Sequence, residues 1–126
     1  MAGERILIVD DDPLNTRLLE DVLRHHGYTV QSVGDGQACI DVAPTFRPAV
    51  VQMDIHMPGL GGIETIKRMR KRAEFSGIRF VALTASVMPH EIESFRAVGF
   101  DAFHAKPINI IALLKEIEGL IGAPAT

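Results

Sequence analysis

The sequence has few of the residues that mark secreted or membrane-spanning proteins. It contains one cysteine, Cys39, which excludes an intrachain disulfide and a cysteine metal site and suits a reducing compartment. No apolar run approaches the roughly 18 residues that a membrane span needs. The short run at 6–9 ends in three aspartates and cannot be the core of a signal peptide. We therefore expect a cytoplasmic protein without a membrane span.

An excess of positive charge is also missing. The chain has 13 basic and 16 acidic residues, a net charge of -3, which provides no electrostatic footprint for a nucleic-acid backbone. The basic residues at 67–72 lie at the end of a predicted helix, where the helix dipole favours positively charged side chains. We therefore predict no direct binding to nucleic acid.

What is present is the composition of an ordinary globular domain. With 126 residues, 47% apolar and 23% charged, the chain is long enough to bury a core and too apolar to be disordered. We predict one domain over residues 1–122 and a short tail or linker remnant at 123–126. That ending suits either a free-standing domain or a fragment of a longer protein, and the sequence does not choose between them.

Strands and helices alternate five times in the predicted pattern. Apolar runs typical of buried strands lie at 5–9, 28–33, 49–53, 77–83 and 101–105. Segments with helical periodicity follow at 14–26, 36–46, 63–73, 89–98 and 110–121. In the first helix the apolar stripe is Leu14, Leu18 and Val22. This alternation predicts an α/β fold, a doubly wound (βα)5 parallel sheet with helices on both faces.

Charged or hydroxylated residues follow three of the predicted strands. Asp10 and Asp11 follow the first, Asp54 the third and Thr84 the fourth. Because ligands bind at the carboxyl ends of strands in open α/β sheets, we expect these side chains to converge. Three neighbouring carboxylates repel one another unless a cation lies between them, and oxygen ligands favour Mg2+, with Mn2+ as an alternative. The sequence therefore predicts a divalent cation site.

The ordered motifs resemble the receiver domain of response regulators in two-component signalling. Five segments match in order: Val9-Asp10-Asp11-Asp12, Met53-Asp54-Ile55-His56-Met57-Pro58, Gly62, Thr84-Ala85 and Lys106-Pro107. The similarity extends from Arg5 to Gly122. The motifs look most like those of single-domain regulators and of the receivers of hybrid kinases. It implies a flavodoxin-like receiver fold, five parallel strands in the order 2-1-3-4-5.

The resemblance implies a phosphoacceptor and a set of metal ligands. Asp54 would attack a phosphoryl group and become an acyl phosphate. Asp11 would ligate Mg2+ directly together with Asp54, Asp10 would act largely through water, and the backbone carbonyl of His56 would add a ligand. The chain would catalyse only its own phosphorylation and dephosphorylation, so we do not expect an enzyme with a separate substrate.

Three further residues have roles implied by the resemblance. The ammonium group of Lys106 would bind phosphoryl oxygens, and the Thr84 hydroxyl would donate a hydrogen bond to one of them. Phe103 takes the position of the switch aromatic, and its ring would be held by packing alone because it has no hydroxyl. Movement of these groups would change the surface formed by the fourth helix, fifth strand and fifth helix.

The resemblance also implies partners. We expect a histidine kinase or a histidine phosphotransferase as phosphodonor, docking near 15–19 of the first helix, and a downstream protein as target. The chain is expected to be a monomer or a weak dimer.

Two residues near Asp54 and Thr84 are candidates for tuning the phosphoryl group's lifetime. His56 lies two residues beyond Asp54 and should stand beside the path of attacking water, and Ser86 lies two residues beyond Thr84. Gln52 is the polar residue inside the otherwise apolar third strand. A buried amide there is unfavourable unless it has hydrogen-bond partners.

Other interpretations of the motifs stay open at this point. Asp10, Asp11 and Asp12 could be a solvated helix start, and Asp54 could be an ordinary turn residue. A magnesium-dependent aspartyl-phosphate phosphatase would use a similar nucleophile, but this chain leaves no room for a cap or substrate pocket. A flavodoxin-like FMN carrier would need a phosphate-binding loop, whereas the first loop here is acidic. A phosphorylation-independent interaction module is the remaining alternative.

Overall fold

Strands and helices alternate as predicted in the computed structural model, which describes residues 3–57, 59–85 and 88–121. The strands are β1 (Arg5–Val9), β2 (Thr29–Val33), β3 (Val50–Asp54), β4 (Arg79–Thr84) and β5 (Ala102–Ala105). The helices are α1 (Pro13–His25), α2 (Gly36–Phe46), α3 (Gly62–Arg70), α4 (Pro89–Val98) and α5 (Ile110–Ile121). The predicted tail at 123–126 lies outside the described residues.

The five strands form one sheet in the order β2-β1-β3-β4-β5, and all neighbouring pairs are parallel. This confirms the predicted fold class and strand order. Parallel neighbours need a crossover connection, and here the intervening helices supply it. Within the described part of the chain, no helix is long and apolar enough to cross a membrane.

Two apolar clusters cover the two faces of the sheet. One packs side chains of α2, α3 and α4 against the sheet, and the other packs α1 and α5 against the opposite face. Successive strand residues alternate between the clusters: Ile6 and Ile8 point towards α1 and α5, whereas Leu7 and Val9 point towards α2 and α3. Each fully buried aliphatic side chain contributes about 1.5 to 3 kcal/mol. The sheet is therefore buried on both faces, as its continuous apolar runs predicted.

Helix α1 is present as predicted, but its buried face is not the predicted stripe. Leu19 and Leu23 are buried, whereas Leu14 is 83% exposed and Leu18 is 48% exposed. Both leucine pairs have the same spacing of four residues, so periodicity alone cannot decide which pair faces the sheet. Leu14 and Leu18 therefore form an exposed apolar strip on α1.

The helix ends follow local capping chemistry. The Asp12 carboxylate accepts hydrogen bonds from the N–H groups of Leu14 and Asn15 and begins α1. The Asn109 side chain accepts from the N–H of Ala112 and begins α5, as predicted. Helix α3 ends at Arg70, earlier than predicted, and a short 3-10 turn follows at Ala73–Phe75.

Arg70 ties the end of α3 to the connection between α4 and β5. Its guanidinium donates to the carbonyl of Ile78 at 3.0 Å and to that of Gly99 at 2.6 Å. It also pairs with Asp101 at 3.2 Å, and Asp101 accepts the N–H of Phe80 at 2.8 Å. These contacts fix the C-terminal end of α4 against the amino end of the sheet.

Gln52 lies in the centre of β3 with 1% of its surface exposed. Among the described residues, neither its amide nitrogen nor its amide oxygen has a hydrogen-bond partner. A buried polar group without a partner destabilises the folded state by about 1 to 3 kcal/mol.

We therefore expect Gln52→Met, which keeps length and removes the amide, to raise the free energy of unfolding by ~1 to 3 kcal/mol. Denaturant unfolding measures this change. The same substitution at exposed Gln31 is the control and should stay within ~0.5 kcal/mol. A destabilised Gln52→Met protein would contradict the assignment of an unpaired amide.

Candidate functional site

Three carboxylates meet at the carboxyl edge of the sheet. One oxygen from each of Asp10, Asp11 and Asp54 lies within 4.8 Å of the others. Strands β1 and β3 are neighbours with Val9 paired to Met53, so the residues that follow this pair, Asp10 and Asp54, are brought side by side. Asp10 and Asp54 are buried, whereas Asp11 is exposed. The convergence expected from the sequence is therefore present.

Asp10 is held by two neutral donors. Its Oδ1 accepts the N–H of Asp12 at 2.9 Å, and its Oδ2 accepts the Asn15 amide at 2.5 Å. Burial raises the pKa of Asp10 and the charge of Asp54 adds to the rise, while the two hydrogen bonds oppose it. Sequence reasoning missed the role of Asn15. Its place in the first turn of α1, just after the acidic run, is the signal that could have indicated it.

Asp54 is held by a backbone donor and a cation. Its Oδ1 accepts the N–H of His56 at 3.0 Å, and its Oδ2 accepts the Lys106 ammonium at 2.9 Å. Asp54 is 2% exposed, whereas Lys106 is open to solvent on one side. Partial burial opposes the charged form of Lys106, but its hydrogen bond to Asp54 and the three carboxylate charges outweigh burial and raise its pKa.

Strand pairing places Lys106 and Thr84 beside Asp54. Asp54 pairs with Leu83 across β3 and β4, and the N–H of Lys106 donates to the Thr84 carbonyl at 2.8 Å. Thr84 is buried at the end of β4. The peptide bond between Lys106 and Pro107 is cis. The structure thus brings Asp10, Asp11, Asp54, Thr84 and Lys106 to one edge.

Gly62 allows the loop after β3 to return onto that strand. A Cβ atom at this position would lie 2.8 Å from the Asp54 carbonyl oxygen and 3.0 Å from the Ile55 Cα. Real side chains do not tolerate such contacts, so the close approach requires glycine here. The loop that carries His56 is therefore held against the end of β3.

The side chains at this edge fit a hard divalent cation. Their potential ligands are carboxylate oxygens, and three carboxylates face one lysine ammonium, which leaves an excess of negative charge. A divalent cation would offset that excess. The backbone carbonyl assigned to His56 as a ligand stays a prediction.

Phe103 is half-buried on the α4 side of β5. Its ring stacks on that of Phe95 with centroids 6.0 Å apart and 30° between planes. The guanidinium carbon of Arg96 lies 5.5 Å from the Phe103 centroid. Packing alone therefore does not describe how this ring is held, contrary to the expectation from the sequence.

His56 and Ser86 are the two residues predicted to tune the lifetime of the phosphoryl group. The His56 side chain is exposed at the start of the loop after Asp54. Ser86 lies outside the described residues.

The fold and this edge define a receiver domain. The family model described as "Response regulator receiver domain" matches residues 6–118. The chain belongs to this family and is a receiver domain of a two-component system, a signalling switch. Receiver domains bind Mg2+ at an acidic site, work with a phosphodonor and a downstream partner, and typically have no separate substrate to turn over.

Known relatives are similar over nearly the whole chain. The polar-differentiation response regulator DivK of Brucella anthropi is 31% identical over 117 residues, which cover 93% of this chain and 95% of the relative. The chemotaxis response regulator CheY4 of Vibrio cholerae has a TM-score of 0.89 at 27% identity, covering 94% of this chain and 99% of that one.

A third relative was solved with a metal. The receiver domain of a sensor histidine kinase of Pseudomonas aeruginosa has a TM-score of 0.87 at 30% identity, covering 97% of this chain and all of that one. That protein has a magnesium ion coordinated in its active site cleft. The acidic edge of the present chain is compatible with the same ion.

His104 lies next to Phe103 on β5, with its side chain largely buried and close to α5. Its Nε2 is 3.7 Å from a carboxylate oxygen of Glu116, too far for a hydrogen bond. Burial lowers the pKa of His104 below its ordinary value of 6.5, and the Glu116 charge opposes this only in part. The unfolded chain therefore binds a proton at His104 more readily than the folded chain does.

This difference predicts a pH dependence of stability. Because the unfolded state binds the additional proton, the free energy of unfolding should fall as pH decreases through about 6.5. His104→Gln removes the titrating group, so its stability should fall less than that of the wild type between pH 7.5 and 5.5. Denaturant unfolding at both pH values measures the difference. Equal falls in the two proteins would contradict the prediction.

Proposed function

We propose that this receiver accepts a phosphoryl group onto Asp54 from a phosphohistidine of a histidine kinase or histidine phosphotransferase. The observation that carries the proposal is the buried Asp54 carboxylate, with the Lys106 ammonium 2.9 Å from one oxygen and the acidic pair Asp10 and Asp11 close by. A buried carboxylate between a cation and a cluster of metal-ligand groups suits nucleophilic attack on phosphorus. The proposed setting is the cytoplasm.

In the proposed reaction, an Asp54 carboxylate oxygen attacks the phosphorus atom of the donor. The new oxygen–phosphorus bond forms as the bond from phosphorus to the donor imidazole nitrogen breaks, and its electron pair stays on that nitrogen. The product is an acyl phosphate on Asp54. Lys106 exchanges its contact with the carboxylate for contacts with phosphoryl oxygens. The chain would catalyse only this step and its own dephosphorylation.

The acidic residues prepare the site for this chemistry. Asp11, Asp54 and the His56 carbonyl would hold Mg2+ directly, and Asp10 would act largely through water. When bound, the ion supplies charge that stabilises the transferring phosphoryl group. Asn15 and the Asp12 N–H keep the Asp10 carboxylate oriented towards this edge.

The phosphoryl group would change the surface through two residues. The Thr84 hydroxyl would donate a hydrogen bond to a phosphoryl oxygen and draw its loop inward. Phe103 would then change position, which alters the surface formed by α4, β5 and α5 for a downstream protein. This is a shift between two conformations of one fold.

The phosphodonor would dock beside the acidic edge. Leu14 and Leu18 form an exposed apolar strip on α1, and α1 begins just after the acidic run. An apolar strip next to the phosphoacceptor suits contact with a partner protein. We propose a monomer or weak dimer as the resting state.

Intact mass measurement after incubation with acetyl phosphate tests the phosphoacceptor. We expect the wild type to gain one phosphoryl group only when Mg2+ is present, and Asp54→Asn to gain none because the nucleophilic oxygen is lost. Asp21→Asn, at an exposed position of α1, is the control and should gain the group normally. No gain in the wild type under any condition would leave a phosphorylation-independent interaction module as the function.

His56→Ala tests whether this exposed side chain limits the access of water to the acyl phosphate. We expect the variant to lose its phosphoryl group about 2 to 10 times faster, a change of ~0.4 to 1.4 kcal/mol in the barrier. The decay of phosphorylated mass after removal of acetyl phosphate measures the rate, with His90→Ala on α4 as the control. An unchanged decay rate would exclude this role for His56.

A further inference from the structure

We propose that Arg96 is a positioning residue that holds the Phe103 ring in its resting position on Phe95. The inference deepens the proposed function and rests on the switch role proposed for Phe103. The Phe103 ring contacts Phe95 at 6.0 Å, and Arg96 lies 5.5 Å from its centroid. Because phenylalanine has no hydroxyl, no side-chain hydrogen bond can fix this ring.

The Phe95 ring offers a fixed surface for the stack. Phe95 is buried and contacts Phe100 edge-on at 6.2 Å, and Phe100 contacts Phe80 in the same way at 6.4 Å. At the far end, the Arg70 guanidinium lies 4.6 Å from the Phe80 centroid. Four phenylalanine rings therefore form a continuous row with an arginine at each end.

The row has one anchored end and one free end. Arg70 also binds the carbonyls of Ile78 and Gly99 and pairs with Asp101, so its end of the row is tied to the sheet. Arg96, in contrast, is exposed, and no carboxylate among the described residues pairs with it. A change in ring position would therefore take place at the Phe103 end, where the Arg96 contact and the Phe95 stack would break.

A simpler role for Arg96 is to offset the negative end of the α4 dipole, since it lies in the last turn. That role would affect helix stability without acting on the Phe103 ring. A cation over a partly exposed aromatic ring such as that of Phe103 instead shifts the ring equilibrium by a factor of about 2 to 5. A shift of this size favours one position of the Phe103 ring while the other stays populated. A switch requires both positions to be accessible.

Carbon-13 NMR of labelled phenylalanine rings tests the inference in the unphosphorylated protein. The chain has six phenylalanines, and Phe103→Leu assigns the signal of interest. We expect Arg96→Gln to move the Phe103 population away from the stacked position by about 2 to 5 fold, and Arg96→Lys to move it less because it keeps a cation. Arg68→Gln, an exposed change of equal charge on α3, should leave the signal unchanged.

Beryllium fluoride with Mg2+, an analogue of the phosphoryl group, provides the second measurement. If the stacked ring is the resting position, linkage requires Arg96→Gln to bind this analogue more tightly by up to the same factor. In a Phe103→Leu background the substitution should have no such effect, because Arg96 acts through the ring.

An unchanged Phe103 signal in Arg96→Gln, or an equal change in Arg68→Gln, would overturn the inference. Unchanged or weaker binding of beryllium fluoride would also overturn it. Failure of the proposed function is distinguishable, because it would appear as a wild type that neither gains a phosphoryl group nor binds the analogue. The ring equilibrium of the resting protein would then still report whether Arg96 positions Phe103.

Discussion

The repulsion among three carboxylates at one edge of a parallel sheet is the constraint around which the molecule is arranged. Strand pairing brings Asp10, which follows β1, beside Asp54, the last residue of β3, and both are buried. Such a pair requires compensation, because like charges close together in a protein interior repel strongly. Backbone N–H groups, the Asn15 amide and the Lys106 ammonium provide part of it. The remainder of the charge makes the edge suitable for a divalent cation.

The same edge connects the site to the surface that a partner would contact. The N–H of Lys106 donates a hydrogen bond to the carbonyl of Thr84, which joins the ends of β4 and β5. Along β5 the side chains alternate, which places Phe103 against α4 and His104 near Glu116 of α5. The change proposed at Asp54 would therefore reach both helices through one short strand. Arg70 donates a hydrogen bond to the carbonyl of Gly99 and so ties the C-terminal end of α4 to the sheet.

Much of this architecture could be predicted because strand and helix signals were local. The apolar runs and the polar residues that follow them predicted the five strands and the convergence of Asp10, Asp11 and Asp54. The buried face of α1 could not be predicted from spacing, since the exposed pair Leu14 and Leu18 has the same spacing as the buried pair Leu19 and Leu23. Contacts between residues distant in sequence, such as Arg70 with Asp101, have no local signal at all. The contact of Arg96 with Phe103 was missed because it joins α4 to β5, and a spacing of seven residues across their connection does not indicate a contact.

Calorimetric titration with Mg2+ tests most directly whether the carboxylate edge holds a divalent cation. We expect one Mg2+ bound per chain, binding that is lost or much weakened in Asp11→Asn, and near-normal binding in Asp12→Asn. Asp12 is the matched control because its carboxylate caps α1, a role that asparagine can also fill. Absence of Mg2+ binding in the wild type, or equal loss in both variants, would contradict the assignment of a cation site to this edge.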